Sequence, residues 1–175
     1  MSKENNYNYL SPSEKISAIA QACVNFPVQR YDKNINQLFV ETKLNGCLSL
    51  IKFVLTGSGI VTPDFIGPDG IQRPMNHVNE FFDHFGINIP FGQQKEGDLV
   101  FFSWDGIRPQ HIGIVINTDT YIHAHTSDGW VKKNRIATHL IKTDKSDTVY
   151  ITNPIGFKRP TISNKDDRWF QKPIT

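Results

Sequence analysis

An α+β fold is the class this sequence predicts, and three observations predict it. Helical periodicity dominates the first half: Ile16, Ile19, Ala20 and Cys23, then the apolar run Cys47 to Leu55, then Val78, Phe81, Phe82 and Phe85. Extended apolar runs dominate the second half, at Leu99 to Trp104, His111 to Ile116 and Tyr121 to His125. Helices followed by an antiparallel sheet is the α+β order. A chain of 175 residues is expected to form one domain, 1–175, with 1–10 as a loose polar lead-in and 158–175 as a C-terminal tail.

The first helix has a readable start. Ser11 can cap it, Pro12 suits the first helical position, and Glu14 can close a capping box. Its end is expected near Phe26-Pro27, because a residue before proline avoids helical angles. Cys23 reads as a small buried apolar side chain. The second helix begins at Cys47 after Asn45-Gly46 and is stopped by Gly57 to Gly59. It is apolar nearly all round, so it belongs in the middle of the domain. Pro63 to Pro74 reads as a surface loop. The third helix is closed by Gly86, with His77 and His84 expected on its solvated side.

Three strands then follow, with weaker ones around Trp130-Val131, Ile136 to Ile141 and Thr148 to Thr152. From Phe157 onward the chain turns polar, apart from the Trp169-Phe170 pair.

Several function classes are excluded. A formal net charge of +2 gives no basic face for nucleic acid. No apolar run approaches the roughly 20 residues of a membrane span. The start, MSKENNYNYLSPSEK, carries no secretory-type segment, so synthesis in the cytoplasm is expected, with any delivery to a cell wall by another route. Two cysteines make no disulfide framework.

The chemistry points to a nucleophilic cysteine. A thiol at a helix start faces unpaired N–H groups and the positive end of the macrodipole, which favour the thiolate. Cys47 has that position, and it needs an imidazole base and a third group to fix the ring's tautomer. His111, at the mouth of its strand, suits the base. His123 and His125 both suit the third role, since alternation puts both on one face of the next strand. Register decides which one stands opposite His111, and register is not legible here. Zinc held by His111, His123 and His125 is the rival use of these imidazoles. No carboxylate or second cysteine stands at ligand spacing, so neither metal nor cofactor is expected.

The runs Gly97 to Phe102 (GDLVFF), His111 to Val115 (HIGIV) and Tyr121 to Ala124 (YIHA) resemble the NlpC/P60 cysteine peptidases, whose strands read GDLVFF, HVGIY and FIHA. Cys47-Leu48-Ser49-Leu50-Ile51 sits where that family has its DCSG(F/L)V helix, and the likeness covers roughly residues 26 to 157. The resemblance implies a papain-like fold, with the cysteine helix packed on a five- or six-stranded antiparallel sheet. It implies Cys47 as nucleophile, His111 as base and His123 as the third catalytic residue. It implies that Tyr31, the nearest tyrosine upstream of the cysteine, lines the site; Trp104 and His125, the latter with no family role, are further candidates to touch substrate. The expected activity is hydrolysis of an amide through a thioester, in peptidoglycan stem peptides. An amidase, deamidase or acyltransferase acting on a protein or lipid is the alternative, as is an inactive binding module. Two departures bear on substrate: Gly46 replaces the family's Asp, and Leu48-Ser49 replaces its Ser-Gly.

Overall fold

A computed structural model describes residues 10–28, 46–103, 105–125, 129–136, 140–143, 146–151 and 154–161. Helix α1 spans Pro12–Ala22. Its capping box forms as the sequence predicts: the Ser11 N–H donates to Glu14 Oε2 at 2.7 Å, and the Glu14 N–H donates to Ser11 Oγ at 3.4 Å. The helix ends at Ala22, earlier than Phe26-Pro27. Asn25 takes a left-handed φ of 70°, which turns the chain toward the sheet. Cys23 is buried, as expected.

Helix α2 (Cys47–Gly57) packs against α1 and the sheet through Leu50, Ile51, Val54 and Leu55, all fully buried. Each such side chain stabilises the fold by about 1.5–3 kcal/mol. The predicted loop at 63–74 is instead a small hairpin, β1 (Asp64–Ile66) with β2 (Gln72–Pro74). Its glycines and prolines hid a short alternation in which Phe65 is buried, stacked on His84 and covered by the Arg73 guanidinium. Helix α3 (Val78–His84) follows, with Phe81 and Phe85 buried and His77 and His84 exposed as predicted.

Six antiparallel strands form the main sheet. They are β3 (Ile87–Ile89), β4 (Leu99–Phe102), β5 (His111–Asn117), β6 (Thr120–His125), β7 (Trp130–Arg135) and, last in the chain, β10 (Pro154–Arg159). Their order across the sheet is β3-β10-β4-β5-β6-β7. A separate pair, β8 (Leu140–Thr143) and β9 (Ser146–Ile151), lies between β7 and β10 in sequence. The strand expected over Ile136 to Ile141 is therefore split: Ile136 follows β7, and β8 starts at Leu140.

Residues 158 and 159, assigned to the tail, belong to the sheet interior, since β10 pairs with both β3 and β4. Arg159 fixes that strand: its Nε and Nη2 donate to the two carboxylate oxygens of buried Asp98 at 2.8 and 2.9 Å. The carboxylate in turn pushes the Arg159 pKa up. Trp169-Phe170 lies outside the described residues. Among the described residues, no helix is long and apolar enough to cross a membrane.

The sheet has two apolar faces. One meets α1 and α2 through Phe101, Ile112, Ile114, Ile122 and Ala124. The other gathers Val100, Phe102, Val115, Tyr121 and Phe157. By alternation, His111 and Gly113 share the second face with Val115, and His123 shares it with Tyr121.

Candidate active site

A single inserted residue brings the histidines together. The β5–β6 hairpin closes with Asn117 opposite Thr120, a pairing that carried on unchanged would set His123 across from Ile114, on the helix-facing side. A bulge at Ile116 shifts the register, so that Val115 faces Tyr121 and Ile114 faces Ile122. His111 and His123 are thereby turned to the same face.

Continued at this offset, the register sets His125 across from His111 and His123 across from Gly113. Direct opposition would favour His125. The contact nevertheless goes to His123, along the diagonal: His111 Nε2 and His123 Nδ1 are 2.8 Å apart. Cross-strand diagonals lie within reach of ring side chains, and Gly113 presents no side chain of its own between the two. The rings meet edge-on, at 86° and 4.9 Å between centroids. His123 is 1% exposed and packs against Tyr121, with ring centroids 4.8 Å apart. Phe102 lies beside both His111 and Tyr121.

The cysteine arrives from the other face. Gly46, the N-cap of α2, has φ 86° and ψ −173°, a backbone region that is essentially glycine-only. The Asp of the family motif is thus replaced where the backbone has no room for a Cβ-bearing residue without strain. Cys47 is half-buried at the first turn. The Val115 N–H donates to the backbone carbonyl of Asp98, just before β4, so by alternation the N–H of Ile112 points toward β6. Ile112 lies beyond the last β5–β6 pair, and its N–H is directed at the Cys47 sulfur. The thiol therefore sits one residue along the strand from His111.

Burial pushes the Cys47 pKa up, outweighing the N–H groups of Ile112, Leu48 and Cys47 itself, which favour the thiolate. A lowered pKa was the expectation from helix position alone. Desolvation of the sulfur opposes that effect of helix position and favours the neutral thiol.

The other predicted contacts fall unevenly. Tyr31 and Trp104 lie outside the described residues, and of His125 only the backbone, in β6, is described. Asp105, just after Trp104, accepts from the N–H groups of Ile107 and Arg108, both at 2.9 Å, and from the Ser103 hydroxyl at 2.8 Å. Those bonds hold its carboxyl well below the usual range and shape the loop that delivers His111. Sequence reasoning missed Asn134, whose Nδ2 lies 3.0 Å from His123 Nε2. It pairs with Tyr121 across β6–β7, which puts it diagonal to His123. Alternation along Trp130, Lys132 and Asn134 was the available signal, but it needed the register of a third strand.

The NlpC/P60 family model matches residues 45–150, a span that holds Cys47, His111 and His123. No curated protein sequence matches the chain. Among solved structures, the chain is similar to an NlpC/P60 family protein from Bacillus cereus, with TM-score 0.57 and 15% identity, over 85% of this chain and 40% of that one. It therefore spans less than half the length of that protein. It is also similar to the peptidoglycan hydrolase RipB from Mycobacterium tuberculosis, with TM-score 0.54 and 16% identity, over 91% of this chain and 72% of that one. RipD from the same organism, a non-catalytic NlpC/p60 domain protein adapted to peptidoglycan binding, gives TM-score 0.54 and 13% identity, over 86% and 98% of the two chains. These identities establish a shared fold.

Proposed function

Because this chain belongs to the NlpC/P60 family, we propose that it is a cysteine hydrolase that cleaves an amide bond in peptidoglycan stem peptides. The observation that carries the reading is the 2.8 Å contact between His111 and His123 at the strand mouth where the Cys47 sulfur meets the Ile112 N–H. A histidine pair of that kind has the parts of a general base and its orienter.

His111 engages His123 through Nε2, so Nδ1 is the nitrogen that exchanges a proton with the thiol. As the substrate carbonyl arrives, the Cys47 proton passes to His111 Nδ1 and the sulfur bonds to the carbonyl carbon. The carbonyl π electrons move to oxygen, where backbone N–H groups at the start of α2 can stabilise the charge. The C–N bond then breaks, His111 returns its proton to the leaving amine, and a thioester remains. Water, deprotonated by His111, attacks the thioester and releases a carboxylic acid and the thiol. No metal or cofactor enters these steps.

Two departures favour a substrate range different from that of relatives carrying the full motif. Gly46 and Leu48 remove the carboxylate and hydroxyl that the family motif sets beside its cysteine. A protein or lipid amide is the alternative substrate on the same machinery. Digestion of purified peptidoglycan by the wild type and by Cys47→Ala, read by mass spectrometry, tests the proposal. Stem-peptide fragments are expected from the wild type alone. An unchanged muropeptide profile would turn the reading toward the alternative substrate or a binding module.

A further inference from the structure

His123 is buried, and both of its ring nitrogens are engaged, Nδ1 by His111 at 2.8 Å and Nε2 by the Asn134 amide at 3.0 Å. Tyr121 stands directly across the β6–β7 ladder from Asn134 and packs its ring against His123. His111, His123 and Asn134 therefore form one line of hydrogen bonds across β5, β6 and β7.

The line admits only two proton arrangements. When the Asn134 Nδ2 donates to His123 Nε2, His123 carries its proton on Nδ1 and donates to His111 Nε2. A neutral His111 then holds its own proton on Nδ1, toward the thiol, and has no lone pair there for a base. When Oδ1 faces His123 instead, every bond reverses. His123 carries Nε2–H, its Nδ1 accepts from His111 Nε2–H, and His111 Nδ1 has the lone pair that takes the thiol proton. Rotating the amide about its Cβ–Cγ bond selects between the two arrangements, and the passage to the second is completed when His111 Nδ1 gives its proton to water, the His123 Nδ1 proton crosses to His111 Nε2, and His123 Nε2 takes a proton from water.

We propose that Asn134 is a positioning residue that sets the tautomer of His123 and so decides whether His111 can act as a base. This inference rests on the hydrolase reading above. The two arrangements hold the same number of protons on the two rings, and Asn134 acts on His111 through His123. Asparagine suits the position because it offers both a donor and an acceptor, whereas a carboxylate would hold the second arrangement permanently.

The test is the pH dependence of Cys47 alkylation by iodoacetamide, which needs no knowledge of the substrate. Wild type, Asn134→Asp, Asn134→Leu and His111→Ala are compared, with thermal unfolding of each. Asn134→Asp accepts from His123 and makes the histidine pair more basic, so the alkylation limb should move to lower pH by about one unit. Asn134→Leu should move it to higher pH and slow alkylation at neutral pH about tenfold. Opposite shifts from two variants cannot come from a structural role alone. Limbs at the wild-type position in both, or equal shifts in one direction that track a loss in Tm, overturn the inference. If the buried carboxylate prevents folding, Asn134→Leu decides alone, and a wild-type limb overturns the inference. His111→Ala separates the two levels. A limb that it leaves unmoved sinks the hydrolase reading itself, whereas a limb that moves for His111→Ala and not for the Asn134 variants sinks only the role of Asn134.

Discussion

The histidine side and the cysteine side of this site are built by different means. His111 is paired with Phe102 on β4 and His123 with Lys132 on β7, so a ladder on the outer side of each fixes its position. Cys47 stands at the first turn of α2, half-buried, behind a glycine in a conformation other residues avoid. The histidines are therefore placed by strand pairing, whereas burial of Cys47 favours its neutral thiol.

The largest effect should come from removing the chemistry. Cys47→Ala is expected to lower turnover by at least about 10⁴-fold with little change in Tm, measured on muropeptides by chromatography. Retained turnover would move the nucleophile elsewhere.

Gly113→Ala tests the histidine side without touching a histidine. A Cβ there would stand 2.5 Å from the Tyr121 ring and 3.0 Å from the Ile122 carbonyl. The ring backs His123, so the variant should lose stability by about 1–3 kcal/mol and lose turnover as well. Wild-type Tm with wild-type activity would show that the strand pair yields more readily than the packing implies.

On the cysteine side, Gly46→Asp restores the family's residue and is nonetheless expected to destabilise by about 1–3 kcal/mol, from backbone strain. Urea denaturation measures it, and an unchanged midpoint would contradict the strained N-cap.

The smallest effect concerns pH. With the folded thiol pKa raised by burial, the thiolate fraction at neutral pH lies below that of an ordinary thiol with pKa about 8.5. Alkylation of the resting enzyme should therefore start slowly and rise only above that pH. The same shift makes folding stability, complete below the unfolded pKa, fall as pH climbs through the folded one. Fast labelling at pH 6 would mean a resting thiolate.

Local signals carried most of what the sequence revealed. Ser11-Pro12-Ser13-Glu14 announces a helix start because the box closes within four residues. The apolar run after Cys47 announces a buried helix for the same reason. What stayed hidden depends on pairing between distant segments. Strand β10 carries proline and glycine and ends in charge, and only its partners β3 and β4 make it a strand. The bulge at Ile116 leaves no mark in composition, although it determines which face His123 takes. Even the right register misleads if direct opposition is the criterion, because the histidine contact is diagonal.

The choice between His123 and His125 is therefore the sharpest point of the account. The decisive measurement is the rate of muropeptide cleavage by His123→Ala and His125→Ala, each checked for folding by Tm. His123→Ala should fall by about 10²–10⁴-fold, while His125→Ala should stay within about fivefold of wild type. The reverse order, with His125 essential and His123 dispensable, would contradict it.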